Sequence, residues 1–251
     1  MGGGRARLPR RARARTAIGT WAKTTEESCV EVPVTTIGII GAGEVGSQIA
    51  RAAVANGYEV VLANSRGPET LRGLVTELGP AARAAHAPEA AAAGDFAVLA
   101  FPYKPEVELP VEELAGKIVL DTNNYMIWRD GHFPVVDSGE KTIYELRQEQ
   151  LPKSKIVKAF ANIQAPSLLK MGRPAGAPDR IALVASSDYP EAVALVTRLY
   201  DQFGFDTVDN SPLNETWRSA PGTPAWNRSV PGQSREELVV NLKRARPVIM
   251  R

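Results

Sequence analysis

A glycine-rich loop set between two apolar segments of different period constrains this 251-residue chain more than any other feature. Thr36-Ile37-Gly38-Ile39-Ile40 is a short β-branched run of the kind found in a strand buried on both faces. It runs directly into Gly41-Ala42-Gly43-Glu44-Val45-Gly46, beyond which Val45, Ile49, Ala52 and Ala53 recur on one helical stripe over residues 44–56. Gly57 then stops the helix. Strand, glycine turn and helix in that order make one βα unit, and each glycine has a mechanical duty in it. Gly41 allows the tight turn, Gly43 lets the backbone approach a diphosphate, and Gly46 allows close helix–strand contact. The helix N-terminus adds N–H groups and positive dipole character. The unit therefore reads as dinucleotide-binding, the plainer alternative being a β-turn-α connection with flexible glycines.

The same alternation continues along the chain. Residues 58–63, 96–101, 117–121 and 155–160 read as strands, with weaker ones over 82–85 and 180–184. Between them, Leu71, Leu74, Val75 and Leu78 follow Pro68 at helical spacing, and 190–203 is a long amphipathic helix with Val193, Val196, Leu199 and Tyr200 on one side. Repeated strand–helix alternation calls for an α/β fold, Rossmann-type and doubly wound, with a mainly parallel sheet covered on both faces. A small C-terminal helical and loop portion is expected to follow it. Residues 210–234 are rich in Pro, Gly, Ser and Asn yet hold Trp217 and Trp226, whose rings must pack on the body, a ligand or a second subunit. The expected divisions are 1–33 as a basic extension outside the folded part, 34–160 as the nucleotide-binding domain, 161–234 as a substrate or dimerisation portion, and 235–251 as a tail with a last short helix.

Charge is unevenly distributed. Residues 1–33 hold seven of the 30 basic and three of the 28 acidic side chains, leaving 23 and 25 in the remainder. The body is therefore near neutral, and nothing in it supports nucleic-acid binding. No apolar run approaches the roughly 20 residues that span a bilayer. A lone cysteine, Cys29, permits no intrachain disulfide and fits a reducing compartment, so a cytoplasmic setting is expected.

The strand ends say which dinucleotide. An NAD site usually closes its second strand with a carboxylate for the ribose 2′-hydroxyl. Here the strand ends Ala63-Asn64-Ser65-Arg66-Gly67, with Asn64 standing 18 residues after Gly46. Ser65 offers a hydroxyl and Arg66 a guanidinium suited to a 2′-phosphate, so NADP(H) is the expected cofactor. Later strand ends carry Phe101-Pro102-Tyr103-Lys104, Asp121-Thr122-Asn123-Asn124-Tyr125 and Phe160-Ala161-Asn162-Ile163. These amides and aromatics can orient a nicotinamide, with Asn123 a candidate, and a planar partner; Asn123 and Asn124 read equally as turn residues. His86, His132 and Cys29 are not in metal-ligand spacing, no serine lies in a Gly-x-Ser-x-Gly setting, and no acid or base is assigned. Hydride transfer between two bound rings depends on positioning more than on either.

Four stretches then carry a resemblance: 36–43, Asn64-Ser65-Arg66-Gly67-Pro68-Glu69-Thr70-Leu71, Asp121-Thr122-Asn123-Asn124-Tyr125 and Val157-Lys158-Ala159-Phe160. Together they resemble the NADP oxidoreductases dependent on the deazaflavin coenzyme F-420, in order over about 35–226. The resemblance implies a dimeric Rossmann protein that moves a hydride between nicotinamide C4 and deazaflavin C5. It implies further that Ser65 and Arg66 hold the 2′-phosphate and that Phe101 and Pro102 border the nicotinamide. Asn162 and Ile163, with Pro212 and Leu213, would approach the deazaflavin; Trp217 joins them as a candidate substrate residue. Ala161 departs from the family's Lys-Ala-Phe-Asn-Asn run. A flavin, a carbonyl or imine acceptor, and a non-catalytic NADP(H) sensor stay open as alternatives.

Overall fold

The chain alternates β1 (Thr36–Ile40), α1 (Glu44–Ala55), β2 (Glu59–Ala63), α2 (Arg72–Leu78), β3 (Ala82–Ala84), α3 (Ala87–Ala93) and β4 (Phe96–Leu99). It goes on through α4 (Val111–Leu114), β5 (Ile118–Asp121), α5 (Ile127–Asp130), α6 (Pro134–Asp137), α7 (Ile143–Gln150), β6 (Lys155–Lys158) and α8 (Ala165–Leu168). Then come β7 (Ala182–Ser187), α9 (Pro190–Phe203), β8 (Asp206–Asp209), a 3-10 helix over Leu213–Ser219 and α10 (Arg235–Arg244). This computed structural model describes residues 1–2, 35–226 and 232–247. The basic extension expected over 1–33, save its first two residues, lies outside the described residues, as do Cys29 and the tail beyond Pro247.

Among the described residues, eight strands form one sheet, in the order β3-β2-β1-β4-β5-β6-β7-β8. Each pair is parallel except β6 with β7, where Lys158 lies opposite Ser186 in antiparallel register. The first six follow the doubly wound 3-2-1-4-5-6 order, so the fold is Rossmann-type α/β.

Alternation of side chains along the strands gives the sheet two buried faces. Ile37, Ile39, Val98, Leu120 and Val157 meet Ile49, Ala53, Val196 and Leu199 from α1 and α9. The opposite positions, Leu99, Val119 and Ile156, pack with Leu114, Ile143, Tyr144 and Leu151 around α4 and α7. Burying one such aliphatic side chain contributes about 1.5–3 kcal/mol, which is why these short runs hold as strands without local support.

The sheet does not stop at residue 160. β7 and β8 extend it, and α10 covers them through Leu238 and Leu242 packed on Ala182, Val184 and Val208. The C-terminal portion is thus more ordered than its sequence pattern suggests. β8 escapes a hydropathy reading because Asp-Thr-Val-Asp holds two poor strand formers. As a short, charged edge strand it also resists pairing with another chain. α10 starts at a capping box, Ser234 with Glu237, and ends before Pro247.

Two strands end earlier than their apolar runs. β4 releases the chain at Leu99 and β6 at Lys158, so Ala100-Phe101-Pro102 and the residues after Phe160 leave the ladder. Phe160 takes φ +54, unusual for a bulky residue. Tyr200 holds it there: its hydroxyl accepts the Phe160 N–H at 2.6 Å and donates to the Val184 carbonyl, and the two rings meet edge-on at 4.9 Å.

Candidate active site

A cavity of about 950 Å3 opens at the carboxyl ends of the strands, where the winding direction reverses between β1 and β4. That crevice is where open α/β sheets bind ligands. The ends of β1, β2, β4, β5 and β6 all contribute to its walls.

One end is built from backbone. Gly41 turns at φ +104, and its N–H and that of Ala42 donate to the Ala63 carbonyl at 2.8 and 3.1 Å, tying the loop to the end of β2. A Cβ on Gly46 would lie 2.0 Å from the Gly41 oxygen, so the helix can approach the strand only with glycine there. A Cβ on Gly43 would meet nothing within 4 Å, because that position faces open space. Gly43 also caps α1 without any side-chain hydrogen bond, leaving the first N–H groups of the helix uncapped by side chains. Glycine at 46 serves the protein's own packing; at 43 it leaves a cradle for something else.

Next to it the β2 end is a self-organised turn. The Asn64 Oδ1 accepts the Arg66 N–H at 2.9 Å and its Nδ2 donates to Thr70 Oγ1 at 2.8 Å, while Thr70 Oγ1 donates to the Gly67 carbonyl. Asn64 thereby shapes the turn, and Ser65 and Arg66 stand exposed on it. The Arg66 guanidinium makes no ion pair or hydrogen bond among the described residues. A 2′-phosphate fits that free cation.

The other end is built from buried side chains. Asp121, 1% exposed, receives Arg147 Nε on Oδ2 at 2.8 Å and the Asn123 N–H on Oδ1 at 2.9 Å. The Tyr144 hydroxyl donates to the Asn123 carbonyl, and Arg129 Nη2 donates to Asn123 Oδ1 at 3.2 Å. That leaves Asn123 Nδ2 buried with no partner among the described residues, on a residue that lines the cleft. A donor of this kind matches a carboxamide oxygen, and with the cradle at Gly43 the residues present fit a nicotinamide dinucleotide. Lys158 lies behind, its ammonium donating to the carbonyls of Thr216 and Ser219 and to Ser219 Oγ at 2.8–3.1 Å. Burial pulls it down to about 7, against the pull of the Asp121 carboxylate. Burial likewise pushes the Tyr144 hydroxyl well above its ordinary range.

The cleft brings together Gly41, Ala42, Gly43, Glu44, Val45, Asn64, Ser65, Arg66, Phe101, Pro102, Asn123, Asn162 and Ile163; Gly46 sits just beneath, buried. Asn162 spends its Oδ1 on the Val184 N–H at 3.0 Å and so also anchors β7. Pro212, Leu213 and Trp217 do not line it. Pro212 is exposed and Leu213 is fully buried in the core around α7. Trp217 borders a second cavity of about 570 Å3 with Tyr144 and Lys158. The other loop tryptophan, Trp226, does line the main cleft, together with the 107–110 loop, Met126 and Arg129, none of which the sequence pattern marks. His132 is engaged with Asp137 at 2.8 Å outside the lining. No cluster of three metal-ligating side chains occurs among the described residues, and none of their helices is long and apolar enough to cross a membrane.

Comparison with known proteins agrees with this geometry. Residues 36–125 match the family described as NADP oxidoreductase, coenzyme F-420-dependent. A hypothetical protein of Sinorhizobium meliloti superposes with TM-score 0.59 at 29% identity, over 73% of this chain and 88% of that one. A protein of Arthrobacter sp. FB24, described as an F-420-dependent NADP reductase, gives TM-score 0.59 at 25% identity, over 70% of this chain and 84% of that one. The protein YjhV of Escherichia coli K12 is 36% identical over 53 residues, which span 21% of this chain and only 39% of that relative's length. Over residues 36–125 the chain is thus similar to the F-420-dependent NADP oxidoreductase family, and its sheet has the Rossmann-type order.

Proposed function

We propose that the cleft holds NADP(H) with its diphosphate on Gly41–Gly46 and its 2′-phosphate on Ser65 and Arg66, and exchanges a hydride with a deazaflavin, coenzyme F-420. The observation that carries this reading is one cavity lined both by the glycine loop with Ser65 and Arg66 and by Phe101, Asn123, Leu109, Met126, Ile163 and Trp226. Held there, NADPH would supply the hydride and be left as NADP+, and the acceptor would take it together with one proton from solvent. The chain's own share is positional. Uncapped helix N–H groups attract the diphosphate, Asn64 presets the turn carrying Arg66, and Asn123 Nδ2 donates to the carboxamide. Phe101, Pro102, Leu109, Met126, Ile163 and Trp226 would limit water around the two rings and orient them, and orientation supplies much of the rate of such a transfer.

Five ionisable side chains line the cleft: Glu44, Arg66, Lys104, Glu108 and Arg129. Neither His86 nor His132 is among them. Among the described residues, Trp226 lines the cavity and Trp217 borders the second one. A homodimer and a cytoplasmic setting complete the proposal.

The test is hydride exchange followed by absorbance, with purified protein, NADPH, and oxidised coenzyme F-420 or FMN in parallel. Oxidation of NADPH with reduction of F-420, and at least about tenfold less with FMN, is the expected result. Turnover with FMN alone would transfer the acceptor assignment to ordinary flavin; turnover with neither would remove both.

A further inference from the structure

Resting on that reading of the cleft, we infer that the buried Asp121–Arg147 pair is a positioning unit that sets the Phe101 ring and the Asn123 amide against each other across the nicotinamide. Arg147 is fully buried and does not line the cleft. Its guanidinium carbon lies 5.3 Å from the centre of the Phe101 ring and 5.0 Å from that of Tyr103. Phe101 does line the cleft, so Arg147 braces it from within the protein. A planar cation on an aromatic face fixes the ring's tilt as well as its place.

The same guanidinium also reaches the outlet of the neighbouring strand β5. Its Nε donates to Asp121 Oδ2 at 2.8 Å, and the other oxygen of that carboxylate accepts the Asn123 N–H. Nη1 donates to Gln150 Oε1 at 2.8 Å, and Gln150 in turn donates to the Lys104 carbonyl, at the end of the segment that carries Phe101. One side chain thus ties the outlet of β4 to the outlet of β5. Tyr144, three residues earlier on α7 and so on the same helical face, adds its hydrogen bond to the Asn123 carbonyl.

A stability role alone accounts poorly for this arrangement. Buried ion pairs are often no more stabilising than apolar residues of equal volume, because desolvation offsets their attraction. This one even leaves Arg147 Nη2 without a partner among the described residues. What the pair supplies that leucine and methionine cannot is directional coupling between two walls 20 residues apart in sequence, Phe101 and Asp121.

The inference is tested on the intact protein by titration with NADPH and with 2′,5′-ADP, which carries the phosphates but no nicotinamide. Wild type, Arg147→Lys, Phe101→Leu, the double variant and the milder Gln150→Met are compared, with bound-nicotinamide fluorescence as a second readout. Lysine keeps the charge and loses the planar fork. Expected for Arg147→Lys are an unchanged Kd for 2′,5′-ADP, a roughly tenfold weaker Kd for NADPH and a loss of nicotinamide fluorescence enhancement. Phe101→Leu should add little on top of it, because the two act as one unit. Gln150→Met should shift NADPH alone, by about two- to threefold, and stands in should Arg147→Lys not fold. Unchanged NADPH binding, equal weakening of both ligands, or fully additive effects of Arg147→Lys and Phe101→Leu would overturn the inference. A wild-type protein that binds neither ligand would instead overturn the cofactor reading beneath it.

Discussion

The two ends of the cleft are built by opposite means. At the phosphate end, neighbours in sequence do the work: Gly41, Gly43 and Gly46 in one loop, Asn64, Ser65, Arg66 and Thr70 in one turn, much of it exposed. At the end proposed for the nicotinamide the parts come from β5, α7, β6 and the Leu213–Ser219 helix, and meet only in the folded core. The first end can lose a residue and keep its fold. The second is inseparable from it.

Asp121→Asn should show this most strongly. It leaves Arg147 buried without its carboxylate, a change that costs about 3–5 kcal/mol in comparable buried pairs. Denaturant unfolding should show the loss, while Arg66→Asp at the other end should unfold like wild type. Equal stability of the two variants would erase the contrast.

Lys158 sharpens it through pH. Its ammonium sits at about 7 in the native protein against 10.5 for the ordinary value. Between those limits the unfolded chain binds the extra proton, so raising pH favours the native state; below about pH 7 the destabilising contribution is fully present. Unfolding at pH 7.5 and 9.5 should give a slope of at most about 1.4 kcal/mol per pH unit that Lys158→Met removes. A slope unaltered by Lys158→Met would show that other groups cause it.

Within the phosphate end, two glycines should separate. Gly43→Ala adds a methyl to open space, so it should fold normally and weaken NADPH about tenfold. Gly46→Ala drives a Cβ into the Gly41 carbonyl and should destabilise the protein by roughly 1–3 kcal/mol. Normal NADPH binding by Gly43→Ala would mean the diphosphate lies elsewhere.

The same division explains what the sequence made legible. The βα alternation, the glycine loop and the Asn64–Gly67 turn are local, and their periods and turn residues announce them. Arg147 sits in Ile-Tyr-Glu-Leu-Arg-Gln-Glu-Gln, where a single arginine reads as a solvated helix face, and its partner is 26 residues away. The Thr142–Glu145 capping box opens that helix in the structure, and no helix is assigned there from the sequence. Trp226 and Met126 reach the cleft through loops whose paths no hydropathy period encodes. Leu213, expected at the acceptor, is instead a core residue, because the helix it opens packs against α7.

On the proposed reading, Ser65 and Arg66 make the cleft specific for a 2′-phosphate. The most direct measurement is calorimetric titration of the wild type and of Arg66→Asp with NADPH and NADH. Wild type should bind NADPH at least about tenfold more tightly than NADH, and Arg66→Asp should lose that preference while keeping its affinity for NADH. Equal affinity of the wild type for the two nucleotides, or NADPH binding untouched in Arg66→Asp, would contradict it.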